Sequence, residues 1–353
     1  DFDFGQLLLF RNDSFQQVVA QMNTDYRFAA LYELRLSISR LGKIVHIPET
    51  LYTVQPTDLR LSGEKQFDYV DPANREVQLE MEAVCTAHLQ AIGAWLAPEF
   101  QRIDFGQENF AREASVIIPV RNRKRTIAEA VESALQQQTD FSFNVIVVDN
   151  HSTDSTGQIL TELSRRYPNL IHHIPASTEL GIGGCWTEAI LLPECGKFAI
   201  QLDSDDLYKD CHVLQRIVDT FYQENCAMVI GSYQMVDFKL EEIPPGLIAH
   251  REWTPDNGRN NALRINGLGA PRAFYTPVLR QIKFPNVSYG EDYATALAIS
   301  RKYPIARIYD PLYLCRRWEE NSDHDLDIQQ LNNYNFYKDK IRTLEIQARI
   351  SGK

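Results

Sequence analysis

Nowhere in the sequence do two cysteines stand in a CxxC pair or beside a histidine cluster: Cys85, Cys185, Cys195, Cys211, Cys226 and Cys315 are scattered singly. That spacing excludes a structural zinc site and a dense disulfide framework, and it suits reduced thiols in a cytosolic compartment. Long apolar runs are missing as well. SVIIPV at 115–120 and NVIVV at 144–148 are strand-sized, far below the ~20 residues that cross a bilayer, so no membrane span is expected. Positive charge is in short supply: 36 Lys and Arg against 47 Asp and Glu leave a net charge of −11, the wrong sign for a reader of nucleic-acid phosphates.

What remains is an ordinary globular composition, 44% hydrophobic and 24% charged over 353 residues, enough for about two domains or one with an appendage. From residue 114 onward short apolar runs alternate with helical patterns, as in a mostly parallel sheet joined by crossover helices. Strands are expected at Ser115–Val120, Asn144–Asp149, Leu170–Pro175, Phe198–Asp203 and Ala227–Tyr233. Between them, Thr126–Gln137 places Ile127, Val131, Ala134 and Leu135 on one helical face, and Asp154–Tyr167 opens on the capping candidates Asp154 and Ser155. In open sheets of this kind ligands sit beyond the carboxyl ends of the strands, so the residues just after each strand are the ones to weigh.

After the first strand comes Arg121-Asn122-Arg123-Lys124-Arg125, a basic loop entering a helix, suited to an anionic ligand or simply a solvated charge run. After the second, Asp149 is placed to offer a carboxylate to a base or ribose, or simply stands with residues that cap the next helix. The fourth ends in Asp203-Ser204-Asp205-Asp206, where carboxylates that repel one another need a cation or hydrogen bonds to offset the cost. Hard divalent ions take such oxygens, one or two at a time, together with a substrate's phosphates. A second acidic centre, Glu291-Asp292, opens the helical pattern DYATALAIS; it is either a favourable N-terminal charge or a general base within about 3 Å of the hydroxyl it deprotonates.

Taken in order, SVIIPVRNR (115–123), VIVVDNHSTDST (145–156), ELGIGGCWTEAI (179–190), IQLDSDDLY (200–208), GLGAPRAFYTPVL (267–279), GEDYATALAI (290–299) and LYLCRRWEENSDH (312–324) resemble family 2 glycosyltransferases, from about Ala114 to Asp325. The resemblance implies an α/β GT-A fold, Rossmann-like with a mostly parallel sheet and flanking helices. It implies a metal-dependent, inverting transfer of a sugar from a UDP-, GDP- or dTDP-linked donor to a hydroxyl of a glycan or lipid-linked acceptor, in polysaccharide or glycoconjugate synthesis. Such an enzyme is cytoplasmic, at large or at the inner face of the membrane. By the same resemblance Asp205 and Asp203 bind Mn²⁺ or Mg²⁺, Asp203 also serving the ribose, and Asp292 is the catalytic base with Glu291 orienting substrate or backbone. Pro119, Arg121, Asp149, Asn150 and Ser204 complete the donor site. The chain departs from the family pattern at Asn150, where a second Asp is usual, at Trp186-Thr187, where Arg and Asn commonly stand, and at Trp318, where a histidine is common. His324, six residues on, is the candidate substitute metal ligand. The rival readings are a silent nucleotide- or sugar-binding module, which binds UDP but releases no sugar, and a nucleotidyltransferase, which releases pyrophosphate and has no task for Glu291-Asp292.

Apart from Asp1-Phe2-Asp3 at the start, residues 1–110 carry no DxD and no Gly-rich phosphate loop, yet they contain a repeat. Leu36–Tyr52 (LSISRLGKIVHIPETLY) aligns without gaps on Leu297–Tyr313 (LAISRKYPIARIYDPLY), with 8 of 17 positions identical. At the places of Glu291 and Asp292 the first copy has Ala30 and Leu31. Each copy leads to a long helical pattern, Asn74–Leu96 and Asp327–Ile350. The expected organisation is an accessory segment at 1–110 resembling the acceptor-side half of a GT-A domain, a transferase domain at 111–325 and a C-terminal helix at 326–353. The accessory half is either cut from a longer chain or a remnant used for packing or acceptor binding; an unrelated helical cap is the alternative. Sugar and acceptor choice is expected to reside in loops such as 243–269.

Overall fold

The computed structural model describes residues 7–23, 25–45, 47, 49, 51–53, 74–106, 108–318, 321 and 327–352. In chain order the first elements are α1 (Asn12–Val19), α2 (Ala30–Leu41), α3 (Arg75–Ala91), β1 (Ala114–Val120), α4 (Ile127–Leu135), β2 (Phe143–Asp149), α5 (Thr156–Arg166), β3 (Leu170–His173), α6 (Ile182–Leu191) and β4 (Phe198–Gln201). They are followed by β5 (Leu207–Tyr208), α7 (Val213–Glu224), β6 (Met228–Val236), β7 (Glu242–Ile248), α8 (Gly258–Asn261), β8 (Arg272–Tyr275), α9 (Thr276–Ile282), α10 (Glu291–Ser300), β9 (Ile305–Arg316) and α11 (Ile328–Ile350).

One compact unit, Pro98–Arg251 with Gly267–Ile328, is built on a nine-stranded sheet of order β3-β2-β1-β4-β8-β6-β9-β5, with β7 on β6. Strands β1 to β4 pair in parallel, and their near-continuous Val/Ile runs are buried, as expected when helices cover both faces. α4 buries Ile127, Ala130, Val131 and Ala134, an i, i+3, i+4, i+7 stripe; Leu135 is only half-buried, and Ala130 takes the place the sequence pattern gives it. Beyond β4 the sheet becomes mixed: β8 runs antiparallel to both β4 and β6, and β6 is parallel to β9. This is the α/β GT-A architecture. It brings the ends of β1, β2 and β4 to one edge and lets the β8 and α10 segments approach them from the other side of β4.

A second compact unit comprises the chain up to Ala97, Glu252–Asn266 and the C-terminal helix from Gln329. The division therefore falls near 97 rather than 110, and the stretch 243–269 is split: β7 belongs to the sheet, whereas 252–266 joins the second unit. There α11 holds α8 through Arg349, whose guanidinium donates to Asn260 Oδ1 (3.2 Å) and the Arg259 carbonyl (2.9 Å) and pairs with Glu345 (2.8 Å). The N-terminus of α2 has no side-chain cap of its own; Glu80 of α3 accepts from the amides of Arg27, Phe28 and Ala29 instead. No helix among the described residues is long and apolar enough to cross a membrane. Burial pushes the Cys185 and Cys195 thiols up to about 11, so they behave as small packing residues.

Candidate active site

The loop after β1 is tied to the loop after β2. Asn122, in the left-handed region, accepts from Thr153 N (2.7 Å) and donates its own amide to Ser152 Oγ (2.9 Å); Arg123 N donates to Thr156 Oγ1 (2.8 Å) and Lys124 N to Asp154 Oδ2 (3.2 Å). The polar residues after β2 are thus spent on holding the basic loop. Asp149 is buried. It accepts from Ser152 N at 2.9 Å and meets His172 Nε2 at 3.3 Å; burial raises its pKa, but the hydrogen bonds from His172 and Ser152 outweigh this and hold it below the ordinary carboxylate value. From the sequence alone His172 has no task. Asn150 is buried too, donating to the Leu180 carbonyl (2.8 Å), while its Oδ1 has no hydrogen-bond partner among the described residues. A buried acceptor left open at a strand end is costly unless a ligand donates to it. Pro119 is the one half-buried residue in β1.

At the end of β4 the acids are held one by one. Gln201 Nε2 donates to both oxygens of Asp203 (2.9 and 3.0 Å), and Asp203 N donates to the Tyr313 hydroxyl (2.8 Å). Asp206 accepts from Arg316 N at 2.8 Å; burial first, then the charges of Asp205 and Asp203, push it well above the usual range. Asp205 Oδ2 accepts from Trp318 Nε1 (3.1 Å) and Asn321 Nδ2 (3.3 Å), with Arg123 Nε at 3.9 Å. Ser204 is buried between them. Trp318 stands edge-on to Phe238 and lies under both Arg125 (5.2 Å) and Arg123 (5.8 Å), so it aligns the basic loop by cation–π contact as well as fixing Asp205. Buried Arg316 anchors this corner through Glu129 and the Asp205 carbonyl.

The second acidic centre is joined to the first. Gln201 Oε1 accepts from Arg272 N (3.1 Å), and the Arg272 guanidinium pairs with Asp292 at the start of α10. Burial opposes the Arg272 charge, but Asp292, Asp203 and Glu291 together more than offset it and raise its pKa. Glu291 is buried beside Asp292; burial, then the Asp292 charge, push it up to about 8, and its Oε2 has no hydrogen-bond partner among the described residues. At neutral pH it carries a proton. Gly290 at φ 75° turns the chain into α10, a conformation that costs other residues a Cβ clash.

Arg272 and Gln201 are missing from the sequence-derived set. Gln201 left a signal, a lone amide in the apolar run FAIQL two residues before the acids; Arg272 left none beyond its place after a Gly-rich loop. Trp186 is packed against Phe274 (5.8 Å) and Phe284 (5.2 Å) and belongs to the core. His324 lies outside the described residues. Among the described residues no three His, Cys, Asp or Glu side chains gather as a metal cage. The donor set nevertheless suits a divalent cation that shares one carboxylate with a ligand's phosphates: Asp205 presents a hard carboxylate oxygen between the basic loop and two N–H donors.

Residues 115–282 match the family model described as Glycosyl transferase family 2. Over 230 residues the chain is 25% identical to a poly(ribitol-phosphate) beta-glucosyltransferase of Bacillus spizizenii, an alignment covering 63% of this chain and 35% of the relative. Over 111 residues it is 33% identical to the minor teichoic acid biosynthesis protein GgaA of Bacillus subtilis, covering 30% and 24% of the two chains. Among solved structures, that of S. aureus TarS 1–349 in complex with UDP-GlcNAc aligns with a TM-score of 0.50 at 23% identity, over 67% of this chain and 72% of that one. The likeness is one of fold. The chain spans about a third of the length of the B. spizizenii relative, 35%.

Proposed function

We propose, from the match of residues 115–282 to the family model described as Glycosyl transferase family 2, that the chain transfers a hexose, with inversion, from a nucleotide-diphospho-sugar to an acceptor hydroxyl. The observation that carries this reading is the pairing of two acidic centres through Gln201 and Arg272, one ringed by cations and N–H donors, the other holding a fixed carboxylate. Asn150 Oδ1 accepts a donor N–H of the base, with Pro119 and Asp149 as neighbouring walls; Asp203 and Ser204 serve the ribose side; Arg121, Arg123 and Arg125 meet the diphosphate. Asp205 is the residue that holds a divalent cation together with the donor phosphates. That cation, when bound, supplies Lewis-acid stabilisation of charge on the leaving diphosphate.

In the transfer, Asp292 takes the acceptor hydroxyl's proton as its oxygen bonds to the anomeric carbon and the bond to the diphosphate oxygen breaks. Arg272 holds the Asp292 carboxylate in place, and protonated Glu291 offers an O–H to the acceptor or sugar without adding a second negative charge. The acceptor is a glycan or lipid-linked polymer; the relatives named for poly(ribitol phosphate) and teichoic acid support a polyol-phosphate chain. Thermal shift with UDP-, GDP- and dTDP-sugars, with and without Mn²⁺, identifies the donor, because a ligand of the folded state alone raises apparent stability. Release of the nucleoside diphosphate from the stabilising sugar supports transfer chemistry; release of pyrophosphate from a nucleoside triphosphate, or binding with no release, refutes it.

A further inference from the structure

Element by element, the chain up to α3 repeats the end of the transferase domain from β8 onward and the helix that follows it. Helix α2 begins at Ala30 and α10 at Glu291, the offset of 261 that also aligns Leu36–Tyr52 with Leu297–Tyr313. Upstream, α1 begins at Asn12 and α9 at Thr276, an offset of 264, which sets Leu8–Phe10 on the β8 residues Arg272–Phe274. Downstream, Ile44–Tyr52 fall on the β9 residues Ile305–Tyr313, and α3 falls on the later part of α11. The helices recur, but no strand forms at either β position among the described residues.

The two missing strands have one neighbour in common. In the transferase domain β6 lies between β8 and β9, pairing Met228 with both Phe274 and Ile305. With β6 in place Ala273 and Leu312 are each 0% exposed; their counterparts Leu9 and Leu51 are 85% and 58% exposed. Val45 and Ile47, on the same segment, are 75% and 52% exposed. Exposed apolar side chains along two segments that form no strand among the described residues are a template for a further strand.

We propose that Leu7–Phe10 and the segment bearing Ile44, Val45, Ile47 and Leu51 are a docking surface for a β6-type strand. Its occupant is the donor-binding half of a second family 2 transferase domain of the same polypeptide. The repeat supplies the register, and the length of the B. spizizenii relative, of which this chain spans 35%, shows that a matching protein has room for a further domain. Because Ala30 and Leu31 replace Glu291 and Asp292, the completed second domain carries no base at the equivalent position.

The test is amide hydrogen exchange at Ile44, Val45, Ile47 and Leu51, in residues 1–353 alone and in the whole encoded polypeptide. Exchange is expected to be fast in the former and at least about 10-fold slower in the latter, as for amides drawn into a sheet. L51K and V45K leave the melting temperature of residues 1–353 unchanged and lower that of the whole polypeptide. Equal fast exchange in both, an encoded polypeptide without a strand-bearing segment ahead of Asp1, or protection in residues 1–353 accompanying a dimer that L51K dissociates, overturns the assignment; the last puts a second copy on the surface instead.

Discussion

At the end of β4 each of Asp203, Asp205 and Asp206 accepts a hydrogen bond, from Gln201, from Trp318 and Asn321, and from Arg316 respectively; at the start of α10 Asp292 faces a guanidinium, while one oxygen of Glu291 has no partner among the described residues. The first arrangement fixes every carboxylate by N–H donors even though burial pushes Asp203 and Asp206 up. The second sets one ionic carboxylate beside one that keeps its proton to about 8. Two clusters that look alike as strings of acids therefore differ in kind, and the difference comes from burial and from which donors reach each oxygen. In the proposed transfer this difference separates charge stabilisation at the diphosphate from proton removal at the acceptor.

The sharpest way to break this comparison is at the link between the two centres. Arg272→Gln is expected to lower kcat by about 10²-fold, the scale of a misplaced reacting group, with little change in donor affinity, and Arg272→Lys to recover part of the loss. A fall in donor affinity matching the fall in kcat would place Arg272 in donor binding instead. Asp205→Ala is expected to weaken Mn²⁺-dependent donor binding by up to about 10²-fold, read by calorimetry with the nucleotide-sugar. Trp318→Phe keeps the ring against Phe238 but removes the N–H to Asp205, and a loss of about 10-fold in the same affinity is expected, the scale of an outer-shell hydrogen bond.

The smallest effect is on stability. Glu291 is raised in the folded state above its ordinary value of 4.5, so the native chain binds a proton that the unfolded chain has lost between about 4.5 and 8. Its contribution is therefore fully present below pH 4.5 and disappears as pH rises through about 8. Glu291→Gln should melt increasingly above wild type as pH goes from 6 to 9, by about 3 °C or more, in a calorimetric series. A difference independent of pH would show that Glu291 is ionised throughout.

Much of the donor half was legible because its signals are local. The apolar runs of β1, β2 and β4 and the periodicity of α4 and α5 each sit within a few consecutive residues, and the acids stand directly after one of them. Pairing across the sheet is not local: nothing in RAFY announces that β8 will run antiparallel between β4 and β6, and so nothing announced Arg272 as the bridge to Asp292. Trp318 and Trp186 both stood out as departures from the family pattern, but only three dimensions distinguish the indole that donates to Asp205 from the one packed on Phe274 and Phe284. The repeat was legible in sequence as identities; that its helices recur while no strand forms at the β positions among the described residues was not.

The central claim, that Asp292 removes the proton while the β4 acids hold the donor, is tested most directly by measuring turnover and donor dissociation constant together for Asp292→Asn. The expected result is a fall in turnover of ~10²-fold or more with the dissociation constant essentially unchanged. Equal losses in turnover and donor affinity, or turnover close to wild type, would contradict it.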